Sequence, residues 1–161
     1  MTTAASILTL IAALGSALIA GLLFAFSTVV MPALAQVAPR EGADVMQRIN
    51  RVILNPLFLG TFLGTALATL LLLWAAAVAP SPAVRAFLLG GSFLYLVGTF
   101  SVTVVFNVPM NNVLDSLDVA SDDAQQYWIR YQSRWTAWNH VRTIACTAAT
   151  ACYILALSLA G

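Results

Sequence analysis

The chain has no lysine and a single histidine, His140. Charged residues make up 8% of its 161 positions, against about 25% in a soluble domain. That scarcity excludes an ordinary soluble fold. A net charge of +1 says nothing about nucleic acid, and no basic run exists. The two cysteines, Cys146 and Cys152, match no CxxC or zinc spacing and read as small buried hydrophobes. One histidine, with no carboxylate in an apolar segment, leaves too few ligands for zinc, iron or copper. There is no GxSxG, P-loop or dinucleotide fingerprint. A hydrolytic triad would lack its carboxylate, because every acid lies in an expected loop.

What is present is apolar. Hydrophobic residues are 61% of the chain, which makes it an integral membrane protein. Four segments are expected to span the bilayer, at about 4–31, 52–78, 86–108 and 122–160. The first is too long for a signal-peptide core and lacks a basic leader, so it reads as a retained helix. Pro32 is expected to end it and Pro109 to break the third. Small residues recur four apart at Ala12, Ser16 and Ala20, at Ala17, Gly21 and Ala25, and at Gly60, Gly64 and Ala68, which permits close helix contact. Arg40–Arg51 reads as a polar link with a short helix. Pro80, Pro82 and Arg85 read as a tight turn, and Asn111–Ser121 as a loop whose Ser121 or Asp122 caps the last helix. The expected fold is an all-α, single-domain membrane four-helix bundle, with a helical extension preceding the fourth span. Six arginines flank the first and third links and only Arg85 the second. The positive-inside rule then puts links one and three in the cytoplasm.

The stretch Trp128–Tyr153 carries three of the four tryptophans, the only histidine and three of the seven arginines. At ~100° per residue it has three faces. Ala137, Val141, Ile144, Ala148, Ala151 and Leu155 form an apolar face. Gln132, Thr136, Asn139, His140, Thr143, Thr147 and Thr150 form a polar stripe. Trp128, Tyr131, Trp135, Trp138 and Arg142 form an aromatic and cationic stripe. Polar groups at membrane depth need partners inside the protein. In the third segment Ser92, Tyr95, Thr99, Thr103 and Asn107 also share a face.

Topology gathers the informative residues at one end. Helix one brings Phe24, Phe26, Ser27, Met31 and Pro32. Helix two brings Asn50, Arg51, Asn55 and Pro56. Helix three brings Asn107, Pro109, Asn111 and Asn112. Helix four brings Trp135, Trp138, Asn139, His140 and Arg142. A pocket open to one side of the membrane is expected there. His140 and Arg142 project ~160° apart on an unbroken helix. His140 and Asn139 are therefore expected to face the pocket, and Arg142 to hold a neighbouring element through the Asn107–Asn112 carbonyls.

The strings FAFSTVVMPAL, INRVILNPLF, FNVPMNNVL and WxxYxxRWTAWNHVRT, in this order across the four segments, resemble the anthrone oxygenase family. The resemblance covers essentially the whole chain, and NVPMNN and WTAWNHVRT are its most specific parts. It implies oxidation of an anthrone to an anthraquinone with molecular oxygen. The electron-rich anion of an anthrone reacts with oxygen without a metal or flavin. The site then needs a base, donors for an oxyanion, and a flat apolar slot. His140 is the expected base, histidine being the residue type that exchanges protons near neutrality. Asn111, Asn112 and Asn139 are the expected donors, and Phe24, Trp135 and Trp138 the ring-stacking wall. The expected catalytic set is His140, Asn139 and Asn111. The expected substrate-binding set is Phe24, Asn107, Asn112, Trp135, Trp138 and Arg142.

The resulting expectation is a cofactor-independent oxygenase for a planar anthrone-like, phenolic or quinol-like lipophilic molecule. The rival from another class is a non-enzymatic membrane binding or assembly protein for a lipid, a quinone or a partner subunit. A transporter would require an oligomer. No cofactor or metal is expected, with haem and a bound quinone left open. The expected partners are the bilayer and a small aromatic lipophilic molecule, with no nucleic acid, and homo-oligomerisation is left open. The expected location is a bacterial inner membrane.

Overall fold

The computed structural model describes residues 1–79 and 81–160. The described residues form five helices. They are α1 (Thr3–Leu34), α2 (Pro39–Val52), α3 (Pro56–Ala77), α4 (Pro82–Ser116) and α5 (Asp122–Ser158). All but α2 are long and apolar enough to cross a membrane. Local chemistry sets their starts. Pro39, Pro56 and Pro82 sit in first turns, where a missing N–H costs nothing. Asn55, Ser81 and Ser121 accept hydrogen bonds from the backbone N–H of Phe58, Val84 and Ala124. Asp122 and Asp123 add negative charge at the positive end of α5.

Several boundaries differ from the sequence expectation. The second span begins at Pro56 rather than near residue 52, because α2 ends at Val52. Neither Pro32 nor Pro109 ends its helix. In each case the ladder widens one turn earlier into π-helical turns, at Phe26–Val30 and Thr103–Asn107. The Met31 N–H reaches back five residues to Phe26, and Val108 to Thr103. A wide turn lets the ladder skip a bond where the following proline has no N–H to give. The third span therefore runs on to Ser116, and the expected loop shrinks to 117–121. Of the expected turn, Pro80 lies outside the described residues. Arg85 Nη2 donates to the Ala79 carbonyl at 3.0 Å.

The spans pack as a ring in which α1 meets α3, α3 meets α4, α4 meets α5, and α5 closes on α1. At 37 residues, α5 is about 55 Å long, well beyond the ~30 Å hydrocarbon core. Its N-terminal half rises out of the bundle. The amphipathic α2 lies across that end, with Gly42, Ala43, Met46 and Gln47 buried beneath it. Gln47 Nε2 donates to the Leu114 and Leu117 carbonyls at 2.8 and 2.9 Å, capping the end of α4.

There are two cores. The larger fills the ring and includes Ile19, Phe62, Leu72, Leu88, Tyr95 and Tyr153. The smaller, under α2, joins Met31, Met46 and Leu114 to Trp128, Tyr131 and Trp135. The α4 face expected from Ser92, Tyr95, Thr99, Thr103 and Asn107 does turn inward. A strict four-residue repeat drifts ~40° per step on an α-helix, hence ~120° from Tyr95 to Asn107. The π-helical turns at Leu94–Ser101 and Thr103–Asn107 take up that drift. Of the small-residue rows, Ala12, Ser16 and Ala20 are buried, whereas Ala17 and Gly21 face outward. Gly60 and Gly64 also face outward, with open space around them. Close approaches between spans are made instead by Gly15 against Thr65, by Gly91 against Tyr153, and by Gly98, where an added Cβ would sit 2.5 Å from the Ala145 Cβ.

Gly98→Ala should therefore destabilise the bundle by about 1–3 kcal/mol through overpacking. Gly60→Ala should be neutral or stabilising, by up to about 1 kcal/mol. Reversible denaturation in mixed micelles reads both, and equal effects would contradict the α4–α5 packing described.

Candidate functional site

The side of α5 that faces the protein is a row spaced three and four residues apart. It runs Trp128, Tyr131, Trp135, Asn139, Arg142, Cys146, Ala149, Tyr153, Ala156. Its upper part is an aromatic ladder. The Trp128 and Tyr131 rings lie 5.5 Å apart, Tyr131 and Trp135 6.1 Å apart, and Phe26 of α1 lies 5.7 Å from Trp135. One side chain of α4 fixes the ladder. Asn111 Oδ1 accepts from both the Tyr131 hydroxyl and Trp135 Nε1, each at 2.8 Å.

Below the ladder lies Arg142, with 6% of its surface exposed. Its Nη1 donates to Thr103 Oγ1 at 3.2 Å and its Nη2 to Asn139 Oδ1 at 2.6 Å. Its guanidinium carbon stands 5.2 Å from the Trp135 ring centre. Asn139 is fully buried and donates to the Leu23 carbonyl and to Ser27 Oγ, both at 2.7 Å. Arg142 is thus tied to α1 and α4. It has no carboxylate partner among the described residues, where the ion pairs are Arg48–Asp44 and Arg51–Asp115. Its Nε is buried with no hydrogen-bond partner, and so is Asn50 Nδ2.

Both orphaned donors belong to residues lining one cavity of about 190 Å³. Its wall draws on all five helices, including Leu22, Leu23 and Phe26 of α1, Met46, Ile49, Asn50 and Arg51 of α2, and Phe58 of α3. α4 gives Thr103, Asn111, Asn112 and Asp115, and α5 gives Trp135 and Arg142. At the rim Arg51 clasps Asp115 at 2.8 and 2.9 Å. The lining is otherwise mostly apolar.

The sequence-expected residues divide. Asn111, Asn112, Trp135 and Arg142 line the cavity. Asn139 stands behind Arg142, and Asn107 is buried beside it, donating to the Trp135 carbonyl at 3.2 Å. Three placements are corrected. His140 is exposed and lines an open groove on the far side of α5 with Ser27, Met31, Gln132 and Thr136. Phe24 is 58% exposed on the outside of α1, and Phe26, two residues on, holds the cavity position. Trp138 stacks on Phe106 at 3.7 Å, away from the cavity wall. The cause on α5 is rotational. The ~160° between His140 and Arg142 allows only one of them inward, and the large aromatics sharing the row with Arg142 take the core. Four polar cavity residues fell outside the expected site set: Asn50, Arg51, Thr103 and Asp115. Asp115 was read as a loop acid because Pro109 was expected to stop the helix. Its signal was i, i+4 spacing from Asn111.

A family model described as anthrone oxygenase matches residues 56–152. The chain belongs to the anthrone oxygenase family. The match holds α3, α4 and most of α5, hence Thr103, Asn111, Trp135, Asn139 and Arg142. No curated protein and no solved structure matches the chain.

Asn139→Leu would leave Arg142 Nη2, the Leu23 carbonyl and Ser27 short of partners. It should cost roughly 2–3 kcal/mol in reversible denaturation. The exposed His140→Gln should stay within about 0.5 kcal/mol of wild type. A reversed order would place the buried network on the wrong side of α5.

Proposed function

We propose that the protein is a membrane oxygenase that inserts oxygen at an acidic carbon of a planar, lipophilic, anthrone-like, phenolic or quinol-like molecule, using only its own side chains. The observation that carries this is the buried Arg142. It lines an aromatic-walled cavity with an unpartnered N–H and no carboxylate to neutralise it. The substrate rings lie against Trp135 and Phe26. As the ring methylene loses its proton, the electron pair moves onto the ring carbonyl oxygen, where Arg142 stabilises it. The proton leaves to Asp115 or to water at the cavity mouth. The carbanion transfers an electron to oxygen, the C–O bond forms, and the hydroperoxide loses water to leave a second carbonyl. The balance is CH₂ plus O₂ to C=O plus H₂O.

Arg142→Gln should lower the rate of oxygen uptake with an anthrone about 100-fold or more, and Asp115→Asn should slow it less. His140→Gln should leave the rate near wild type. If His140→Gln abolishes uptake at unchanged stability, the chemistry sits in the outer groove and this assignment fails. Binding of the anthrone with no oxygen uptake by the wild type would instead favour a carrier.

We also place the cavity end on the cytoplasmic side of a bacterial inner membrane. Arg40, Arg48, Arg51, Arg130 and Arg134 lie at that end on exposed positions, against Arg85 at the other. In a Cys152→Ser background, a membrane-impermeant thiol reagent added outside should label Ala83→Cys and spare Ala38→Cys. The opposite pattern would invert the orientation.

A further inference from the structure

Around Arg142 the cavity offers hydrogen-bond donors in excess. Arg142 carries donors only, and its Nε points at no protein acceptor. Asn50 Nδ2 is also without a partner. The Asn111 carbonyl oxygen is held by two donors, which fixes the amide and leaves its NH₂ on the other side. The acceptors that hold Arg142 are already engaged. Thr103 Oγ1 takes Arg142 Nη1 and gives its proton to the Thr99 carbonyl. Asn139 Oδ1 takes Arg142 Nη2. Asp115 Oδ1 takes two N–H groups of Arg51. A hydroxyl proton placed against Arg142 therefore meets a positive charge, and the two side-chain acceptors bonded to Arg142 are taken. A lone pair placed there meets a donor, in a buried setting where a charge-assisted bond is strong.

We propose that the cavity binds its ligand as an anion. The ligand class is flat aromatic enolates and phenolates, with the charged oxygen on Arg142 Nε and a second ring oxygen directed to Asn50 and Asn111. A neutral, weakly acidic ligand loses its O–H or C–H proton to solvent on binding, so one proton is released per ligand and nothing is oxidised at this step. The choice of cavity rests on the oxygenase reading. The volume of about 190 Å³ is below the ~300–1,000 Å³ of pockets for larger ligands. It limits the buried part to a compact ring system.

The test uses the full chain in detergent micelles, without oxygen, and 4-nitrophenol as probe, because its phenolate has its own visible absorption. Empty micelles supply the reference. The bound probe should ionise at a pH lower than the free probe by roughly one unit or more. 4-Nitroanisole, with the same ring and no ionisable proton, should bind about tenfold more weakly or worse. Arg142→Gln should lose about tenfold or more in phenolate affinity and leave nitroanisole within about twofold, while Arg142→Lys should keep part of the preference. Binding of the probe as neutral phenol, or equal affinity for nitroanisole, overturns the proposal with no variant needed. Undiminished phenolate binding by folded Arg142→Gln also overturns it. Phenolate bound on Arg142 without turnover of any anthrone supports this proposal and sinks the oxygenase reading. Oxygen uptake without a phenolate preference does the reverse.

Discussion

A guanidinium taken out of water at membrane depth costs several kcal/mol unless hydrogen bonds and polarisable neighbours replace its hydration. Arg142 meets that demand with three side chains at once. Thr103 comes from α4, Asn139 from its own helix, and the Trp135 ring lies beside it. Asn139 passes the constraint to α1 through the Leu23 carbonyl and Ser27. Trp135 passes it to Asn111 and so to the end of α4. The contacts that house this one charge thus tie α5 to both α1 and α4. What remains uncompensated is the Nε proton and the net charge, on a residue that lines the cavity.

The backbone of the neighbouring helices is adapted to that demand. Both α1 and α4 place π-helical turns immediately before a proline, at the level where they meet Arg142 and Trp135. A continuous α-helix would drive the four-residue polar row of α4 away from α5 by the time it reached Asn107. The wide turns hold it in line and let both helices continue past the membrane boundary. That continuation carries Asn111, Asn112 and Asp115 to the cavity rim and lets Gln47 of α2 cap the end of α4. The roof of the cavity thus depends on a local irregularity in a helix that composition alone would end sooner. In the lower half the demand is plain packing. Tyr95 and Tyr153 lie buried with their hydroxyls paired to the Phe62 carbonyl and to Thr69, and Gly98 admits the Ala145 methyl.

The sequence by itself determined the class, the four spans, the cap of α5, and the end of the bundle at which polar and aromatic residues gather. These follow from properties local to each stretch: the apolar length that a bilayer demands, the oxygen that an unpaired N–H demands, and the alternation of direction from span to span. It also separated the three faces of α5 and showed that His140 and Arg142 cannot share a small pocket. Periodicity gives angles between residues on one helix and says nothing of how that helix is turned in the bundle. Only the tertiary structure decided that turn, through the combined burial of Trp128, Tyr131 and Trp135 with Tyr153 and Ala156 below. It put Arg142 inside and His140 out, and Phe26 in the place expected of Phe24. It also decided that Pro32 and Pro109 are passed through, because a proline ends a helix only when the preceding turn cannot widen. Whether it can is fixed by what packs around that turn.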